Sequence, residues 1–209
     1  MSLQPFLSKF RLTEDIGNGL PDQVIQDIVD SEFTECINEL GGKTFEYGLY
    51  RVFRGDQLAA ATGSMAKAFP ELAKRLVVFG YDWLGRHFAI DQGRRKDGRP
   101  LVLLLEPGAG EAQQIPVPIT EFHNEELVNY ANEALAAKFY ESWRALDNAP
   151  IQADKCVGYK VPLFLKGKDD IQNLELVDLD VYVEICGQLR NKVRELPAGT
   201  TIRSINIKK

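Results

Sequence analysis

Apolar residues recur at every third or fourth position in four parts of the chain, which predicts helices there. These parts span residues 21–40, 56–69, 124–143 and 178–196, and the third could also begin at Thr120. The pair Gly41 and Gly42 is expected to end the first helix. Asp178 is expected to cap the last one, whose apolar face would include Tyr182 and Ile185.

Alternating apolar and polar residues predict strands in the remaining parts. One strand is expected at 48–53, and four more form a meander at 76–81, 86–91, 101–106 and 113–118. The short connections favour antiparallel pairing, while residues 92–100 are expected to form a solvated loop. Residues 151–177 are rich in turns, and residues 200–207 predict a closing edge strand. Helices that flank one antiparallel sheet define an α+β protein.

A glycine-bracketed corner between two meander strands carries the sequence Gly80-Tyr81-Asp82-Trp83-Leu84-Gly85. It predicts a β-hairpin with aromatic residues at its tip. Tyr81 and Trp83 have two interpretations: they fill the core at the corner, or they are exposed and contact a partner.

Composition narrows the class of protein. The chain has 209 residues, 44% of them hydrophobic, and a formal charge of −5. This length suits one large domain or two small ones. Basic residues are scattered, so nucleic acid is not expected as a direct partner. Apolar runs are too short to cross a membrane, and residues 1–11 lack the apolar core of a signal peptide, so we expect a cytoplasmic protein.

The residues offer little catalytic chemistry. Three cysteines lie far apart, and we expect buried free thiols instead of disulfides or a zinc site. His123 has only Glu126 at a metal-ligand spacing, so neither a metal nor another cofactor is predicted. A nucleophile paired with a base is also lacking. One rival hypothesis remains, an enzyme or small-ligand binder that uses Asp82, Arg86 and His87 of the 81–91 hairpin.

Acidic residues are concentrated near the C-terminus. They are Asp169, Asp170, Glu175, Asp178, Asp180 and Glu184. Such a series can be a solvated surface that includes a helix start. Alternatively, it is an electrostatic docking surface for a basic partner. The candidate partner-binding residues are Asp169, Asp170, Glu175, Asp178 and Asp180 of this series, together with Tyr81, Asp82 and Trp83.

Three sequence blocks suggest a family. The first is Gly41-Gly42 with 48–52, the second is 79–91 with Leu105-Glu106-Pro107-Gly108, and the third is 158–165 followed by Asn173-Leu174-Glu175, Asp178 and Val181-Tyr182. This order resembles bacterial proteins with an N-terminal GAD-like domain and the C-terminal domain of type VI secretion immunity proteins. They look related to the SUKH superfamily of α+β immunity proteins.

The resemblance implies a SUKH-like fold with a GAD-like part at 1–146 and an immunity-type part at 147–209, together forming one compact unit. It also implies a non-enzymatic antitoxin that occludes a cognate toxin, often a nuclease. The acidic charge suits a basic toxin, and we expect a monomer or a weak homodimer. A general scaffold protein without a toxin is a third hypothesis.

Overall fold

The computed structural model describes residues 2–21, 23–146, 149–194 and 196. The helices are α1 (Gln4–Lys9), α2 (Gln23–Ile28), α3 (Ser31–Leu40), α4 (Leu58–Ala68), α5 (Ile119–Glu121), α6 (Ala131–Leu135), α7 (Ala137–Arg144) and α8 (Leu179–Arg194). The strands are β1 (Leu12–Asp15), β2 (Lys43–Phe45), β3 (Tyr50–Val52), β4 (Leu76–Asp82), β5 (His87–Lys96), β6 (Arg99–Glu106), β7 (Glu111–Pro118), β8 (Lys155–Tyr159) and β9 (Leu174–Asp178). A π-helical turn, Phe122–Leu127, follows α5.

Seven strands form one antiparallel sheet in the order β1-β2-β3-β4-β5-β6-β7. Helices flank this sheet, which confirms the predicted α+β class and the meander of β4 to β7. Strands β8 and β9 form a separate two-stranded sheet, also antiparallel. This small sheet was not predicted from the sequence, because residues 151–177 were expected to be rich in turns.

The described residues form two apolar cores. The larger contains Phe6, Phe33, Phe79, Trp83 and Phe122 among its buried residues. The smaller contains residues of α4, the meander, β8 and α8: Met65, Val78, Ala89, Cys156, Tyr182 and Cys186 are examples. The smaller core therefore joins residues from both sides of position 146, where the two parts of the chain were expected to meet. The division at that position stays a prediction.

The prediction of a loop at residues 92–100 is wrong. Strand β5 continues to Lys96 and β6 begins at Arg99, so only Asp97 and Gly98 form the turn. Both have positive φ, 52° and 80°. An Asp-Gly pair favours this two-residue hairpin turn, because its backbone twist matches that of the flanking strands. The basic residues around it lie on a strand pair.

The long helix predicted at 124–143 is interrupted. The chain passes through the π-helical turn, α6 and α7, and Ala136 between α6 and α7 has a left-handed conformation with φ 50°. At this break the Trp83 indole donates to the Leu135 carbonyl at 3.0 Å, and Arg86 donates to the Ala134 carbonyl at 3.1 Å. These two bonds satisfy carbonyls at the end of α6, as helix ends require.

The first and last predicted helices also differ in detail. Asp30 separates α2 from α3 and caps α3, accepting from the Phe33 amide at 2.8 Å. In α8, Val183 is buried whereas Ile185 is only half-buried, so the predicted apolar face is rotated slightly. The strand predicted at 200–207 lies outside the described residues.

Candidate partner-binding surface

The aromatic corner between β4 and β5 is buried. Trp83 is fully buried, and its ring contacts Phe139 and Tyr140 with centroid distances of 5.4 Å each. Tyr81 is also buried, and its hydroxyl donates to the Ala153 carbonyl. Buried side chains offer little area to a partner, so these contacts do not favour Tyr81, Asp82 and Trp83 as partner-binding residues, and that role stays a prediction. The core interpretation of the two aromatic residues agrees with these contacts.

Asp82 and Arg86 form a buried ion pair within the same corner. One Asp82 oxygen accepts from the Leu84 and Arg86 amides at 3.0 Å each, and the other accepts from the Arg86 Nε at 2.6 Å. Burial opposes the charge on Arg86, but the adjacent Asp82 carboxylate outweighs it and raises the pKa of Arg86. The pair thus closes the turn and holds α6 through the Ala134 carbonyl.

His87 contacts different neighbours. Its Nδ1 lies 2.9 Å from the Gly85 carbonyl oxygen, and its ring stacks with Tyr81 and Phe53. Burial lowers the pKa of His87 to about 4, so the ring is neutral at pH 7. Asp82, Arg86 and His87 therefore do not converge on one reactive centre, contrary to what the rival hypothesis requires.

A groove of about 650 Å³ lies between the turn after β2 and α7, and none of those three hairpin residues lines it. It is lined by Glu46, Tyr47, Leu49, Ala137, Tyr140, Glu141, Arg144 and Ala145. The Arg144 guanidinium lies over the Tyr47 ring at 5.1 Å and over the Tyr140 ring at 5.8 Å.

The described residues include no group of three or more His, Cys, Asp or Glu side chains placed to hold a metal ion. Within those residues, no helix has the length and apolar character to span a membrane.

The candidate acidic residues separate into two groups. Asp169 and Asp170 lie in the turn before β9, and both have structural partners. Asp169 accepts from the Tyr159 hydroxyl at 2.7 Å, and Asp170 accepts from the Asn173 amide at 3.1 Å. Three lysines, Lys160, Lys166 and Lys168, are exposed on the same loop and offset this acidic charge.

The second group lies on β9 and the first turns of α8. Glu175, Asp178, Asp180 and Glu184 are all exposed. Asp178 pairs with Lys155 across the small sheet, and Glu184 accepts from the Gln188 amide at 2.7 Å. Within the described part of the chain, the side chains of Glu175 and Asp180 make no hydrogen bond or ion pair. We call these four residues the acidic surface.

Two apolar side chains are exposed among these acids. Leu176 on β9 is 56% exposed and Val181 on α8 is 52% exposed. Neither residue was predicted from the sequence to be exposed. Leu176 lies two positions after the buried Leu174, where alternation along a strand predicts burial, so the pattern gave no signal for its exposure. Protein interfaces combine exposed apolar side chains with polar ones, and this part of the chain has both.

Close packing fixes the scaffold beneath the acidic surface. The Tyr182 ring of α8 lies directly against Gly158 of β8, where an added Cβ would come within 2.6 Å of the ring. At the other end of α8, Arg190 binds the carboxylate of Glu71, and its guanidinium lies 4.2 Å from the Phe69 ring centroid. Partial burial opposes the charge on Glu71, but hydrogen bonds from Arg190 and Arg194 outweigh it and lower its pKa to about 2.

Comparison with known proteins adds a family match to this geometry. A family model of the C-terminal domain of the type VI secretion (T6SS) immunity protein Tdi1 matches residues 120–190. That part of the chain contains the whole acidic surface and both exposed apolar residues. A comparison with curated proteins found no match.

Comparison with solved structures shows a similar fold. The crystal structure of Atu4351 from Agrobacterium tumefaciens superposes with a TM-score of 0.64 and 13% sequence identity, covering 90% of this chain and 89% of that chain. At this level of identity the similarity concerns the fold.

Proposed function

We propose that this protein is an immunity protein, which binds a cognate type VI secretion toxin and blocks it. The observation that carries the proposal is the match of residues 120–190 to the C-terminal domain of an immunity protein. The acidic surface lies within these residues. The same proposal makes the protein a binding protein without enzymatic activity, acting in the cytoplasm as a monomer or weak homodimer.

The charge on the surface supports a basic partner. Glu175 and Asp180 are exposed and make no pair within the described residues, so their negative charges are available to a second protein. Opposite charges on two proteins accelerate their association and orient the encounter. A nuclease would suit this surface, because its own substrate is a polyanion and its binding cleft is therefore basic. The kinship with GAD-like and SUKH proteins remains part of this hypothesis.

The structure does not favour the rival enzyme hypothesis. Asp82 and Arg86 bind each other and the backbone, while the His87 ring lies against Tyr81 and Phe53. The polar side-chain atoms of Asp82 and Arg86 are therefore engaged in contacts within the fold. We therefore propose no catalytic role for the hairpin.

Binding kinetics with charge variants test the proposal. The probe is the purified product of the gene that adjoins the one encoding this chain. We expect Glu175→Lys with Asp180→Lys to slow association by about tenfold or more at low salt, and high salt to reduce the difference. The readout is surface plasmon resonance at low and high ionic strength.

A matched variant controls for net charge. Glu125→Lys with Glu133→Lys makes the same change in net charge at two exposed positions outside the acidic surface. This control should bind like the wild type. Equal slowing by both double variants would show that only the net charge matters. The absence of any binding by the wild-type chain would contradict the immunity proposal itself.

A further inference from the structure

The outer edge of β9 is a second feature of the acidic surface. Strand β9 pairs with β8 alone, so within the described residues its other edge has no neighbouring strand. An unpaired strand edge presents backbone N–H and C=O groups to any extended chain that approaches it. Native proteins protect such edges with proline, bulges, short strands or charged side chains. The five residues Leu174–Asp178 contain no proline and pair without a bulge, and their charged side chains, Glu175 and Asp178, are acidic and would not repel a basic segment.

The pairing register shows which groups of β9 point outward. Val157 of β8 lies opposite Leu176. The Val157 amide donates to the Trp83 carbonyl at 2.7 Å, on the side away from β9. Val157 and Leu176 are therefore a non-hydrogen-bonded pair of the antiparallel ladder. It follows that the N–H and C=O of Leu176 are directed to the open edge.

The side chains around this edge specify the chemistry of what could bind there. Leu176 supplies exposed apolar area on this strand. Glu175 and Asp178, also on β9, supply exposed negative charge. A complementary segment would be extended, with an apolar residue for contact with Leu176 and with Lys or Arg residues near it.

We infer that β9 is the docking edge for an extended basic segment of the toxin, which adds to the small sheet as a third strand. This inference rests on the proposed function and assigns its binding mode. In strand addition the backbone hydrogen bonds supply affinity, and the alternating side chains supply specificity. The Leu176 amide and carbonyl are the central pair of groups, and the exposed Leu176 side chain is the apolar centre.

Substitution at Leu176 tests the inference. Leu176→Lys places a positive charge at the apolar centre, where the partner segment is expected to be basic. With the product of the adjoining gene as the probe, we expect dissociation to become about tenfold faster or more, as at an interface hot spot. The unfolding midpoint should equal that of the wild type, because the side chain is exposed.

Leu12→Lys is the matched control. Leu12 is 45% exposed and also lies on an edge strand, β1, but outside the residues that match the immunity family. This variant should keep wild-type kinetics. Equal losses in both variants, or no loss in Leu176→Lys, would contradict docking at β9.

Hydrogen exchange gives an answer that does not depend on a variant folding. In the complex of the wild-type chain with the same probe, deuterium uptake by residues 174–181 should fall, while uptake by residues 12–15 should not change. Binding without protection of residues 174–181 would overturn docking at β9 and leave the immunity proposal standing. If the wild-type chain does not bind the probe, the immunity proposal fails and the inference fails with it.

Discussion

Trp83 and Arg86 at the corner between β4 and β5 determine where α6 ends. Both donate hydrogen bonds to the last carbonyls of that helix, and both are buried. Residues of this kind combine a packing role with a polar one, because a buried indole or guanidinium needs a partner for its N–H groups. The corner is therefore structural, although its sequence resembles an exposed aromatic tip.

Truncation of Trp83 tests this role. We expect Trp83→Ala to lower the free energy of unfolding by about 3–5 kcal/mol, because it leaves a cavity and removes the bond to Leu135. Trp83→Phe should cost less, since it removes the hydrogen bond but keeps most of the apolar contact. Urea unfolding measures both. An unchanged midpoint for Trp83→Ala would mean that the side chain is exposed in solution.

Because both histidines are buried, we expect the free energy of unfolding to fall at acidic pH. His123 lies in the larger core, with Nδ1 2.8 Å from the Ile119 carbonyl and Nε2 2.9 Å from the Tyr50 hydroxyl. These partners assign the proton to Nδ1 and make Nε2 the acceptor from Tyr50. Burial lowers the pKa of His123 to about 4, as it does for His87, from an ordinary value of 6.5.

The sign of the pH effect follows from these pKa values. As the pH falls below 6.5, the unfolded chain binds protons at His87 and His123 before the folded chain does. Stability is therefore complete above that pH and declines toward pH 4, by up to about 3 kcal/mol for each histidine. Urea unfolding from about pH 7.5 down to about pH 5 measures the slope.

A variant separates the histidines from the carboxylates in this titration. His123→Gln keeps a donor for Ile119 and an acceptor for Tyr50 but cannot be protonated. Its stability should decline less steeply between these pH values than that of the wild type. An identical slope would show that His123 does not contribute.

At the scale of elements, the break between α6 and α7 stores local strain. Ala136 has φ 50°, a left-handed conformation that costs a residue with a Cβ roughly 1–2 kcal/mol. The apolar spacing gave no sign of it, because the positions on both sides continue at helical intervals. The cause lies in distant residues, Trp83 and Arg86, which bind the preceding carbonyls.

Glycine at position 136 should relieve this strain. We expect Ala136→Gly to raise the free energy of unfolding by about 0.5–1 kcal/mol, because glycine adopts positive φ without a steric penalty. The same change inside a helix, Ala59→Gly in α4, should lower it by up to about 1 kcal/mol. Thermal unfolding measures both variants. If Ala136→Gly were destabilised as Ala59→Gly is, the result would contradict a left-handed conformation at Ala136.

Other elements show why some predictions from sequence succeeded. The meander was predictable because each strand alternates or forms an apolar run of ordinary length, and each connection is short. Strands β8 and β9 were not predictable from the sequence, because Gly158 and the exposed Leu176 interrupt the expected alternation of buried and polar residues. The Asp97–Gly98 pair is typical of a two-residue hairpin turn. The basic residues next to it favoured the prediction of a solvated loop instead.

At the scale of the whole molecule, the C-terminal part is built onto the main sheet. Helix α8 packs along α4, and Arg190 and Arg194 hold the Glu71 carboxylate at the far end. The acidic residues were visible in the sequence, but their arrangement was not. Only the structure shows that Asp169 and Asp170 have internal partners and that Glu175 and Asp180 are exposed without a partner among the described residues.

A survival assay tests the central claim most directly. Bacteria express the product of the adjoining gene, with or without this chain at matched abundance, and colonies are counted. The wild-type chain is predicted to restore growth, and Glu175→Lys with Asp180→Lys is predicted to protect much less than Glu125→Lys with Glu133→Lys. If the product kills the cells and the wild-type chain, present and folded, rescues none of them, then the protein is not the immunity partner of that product.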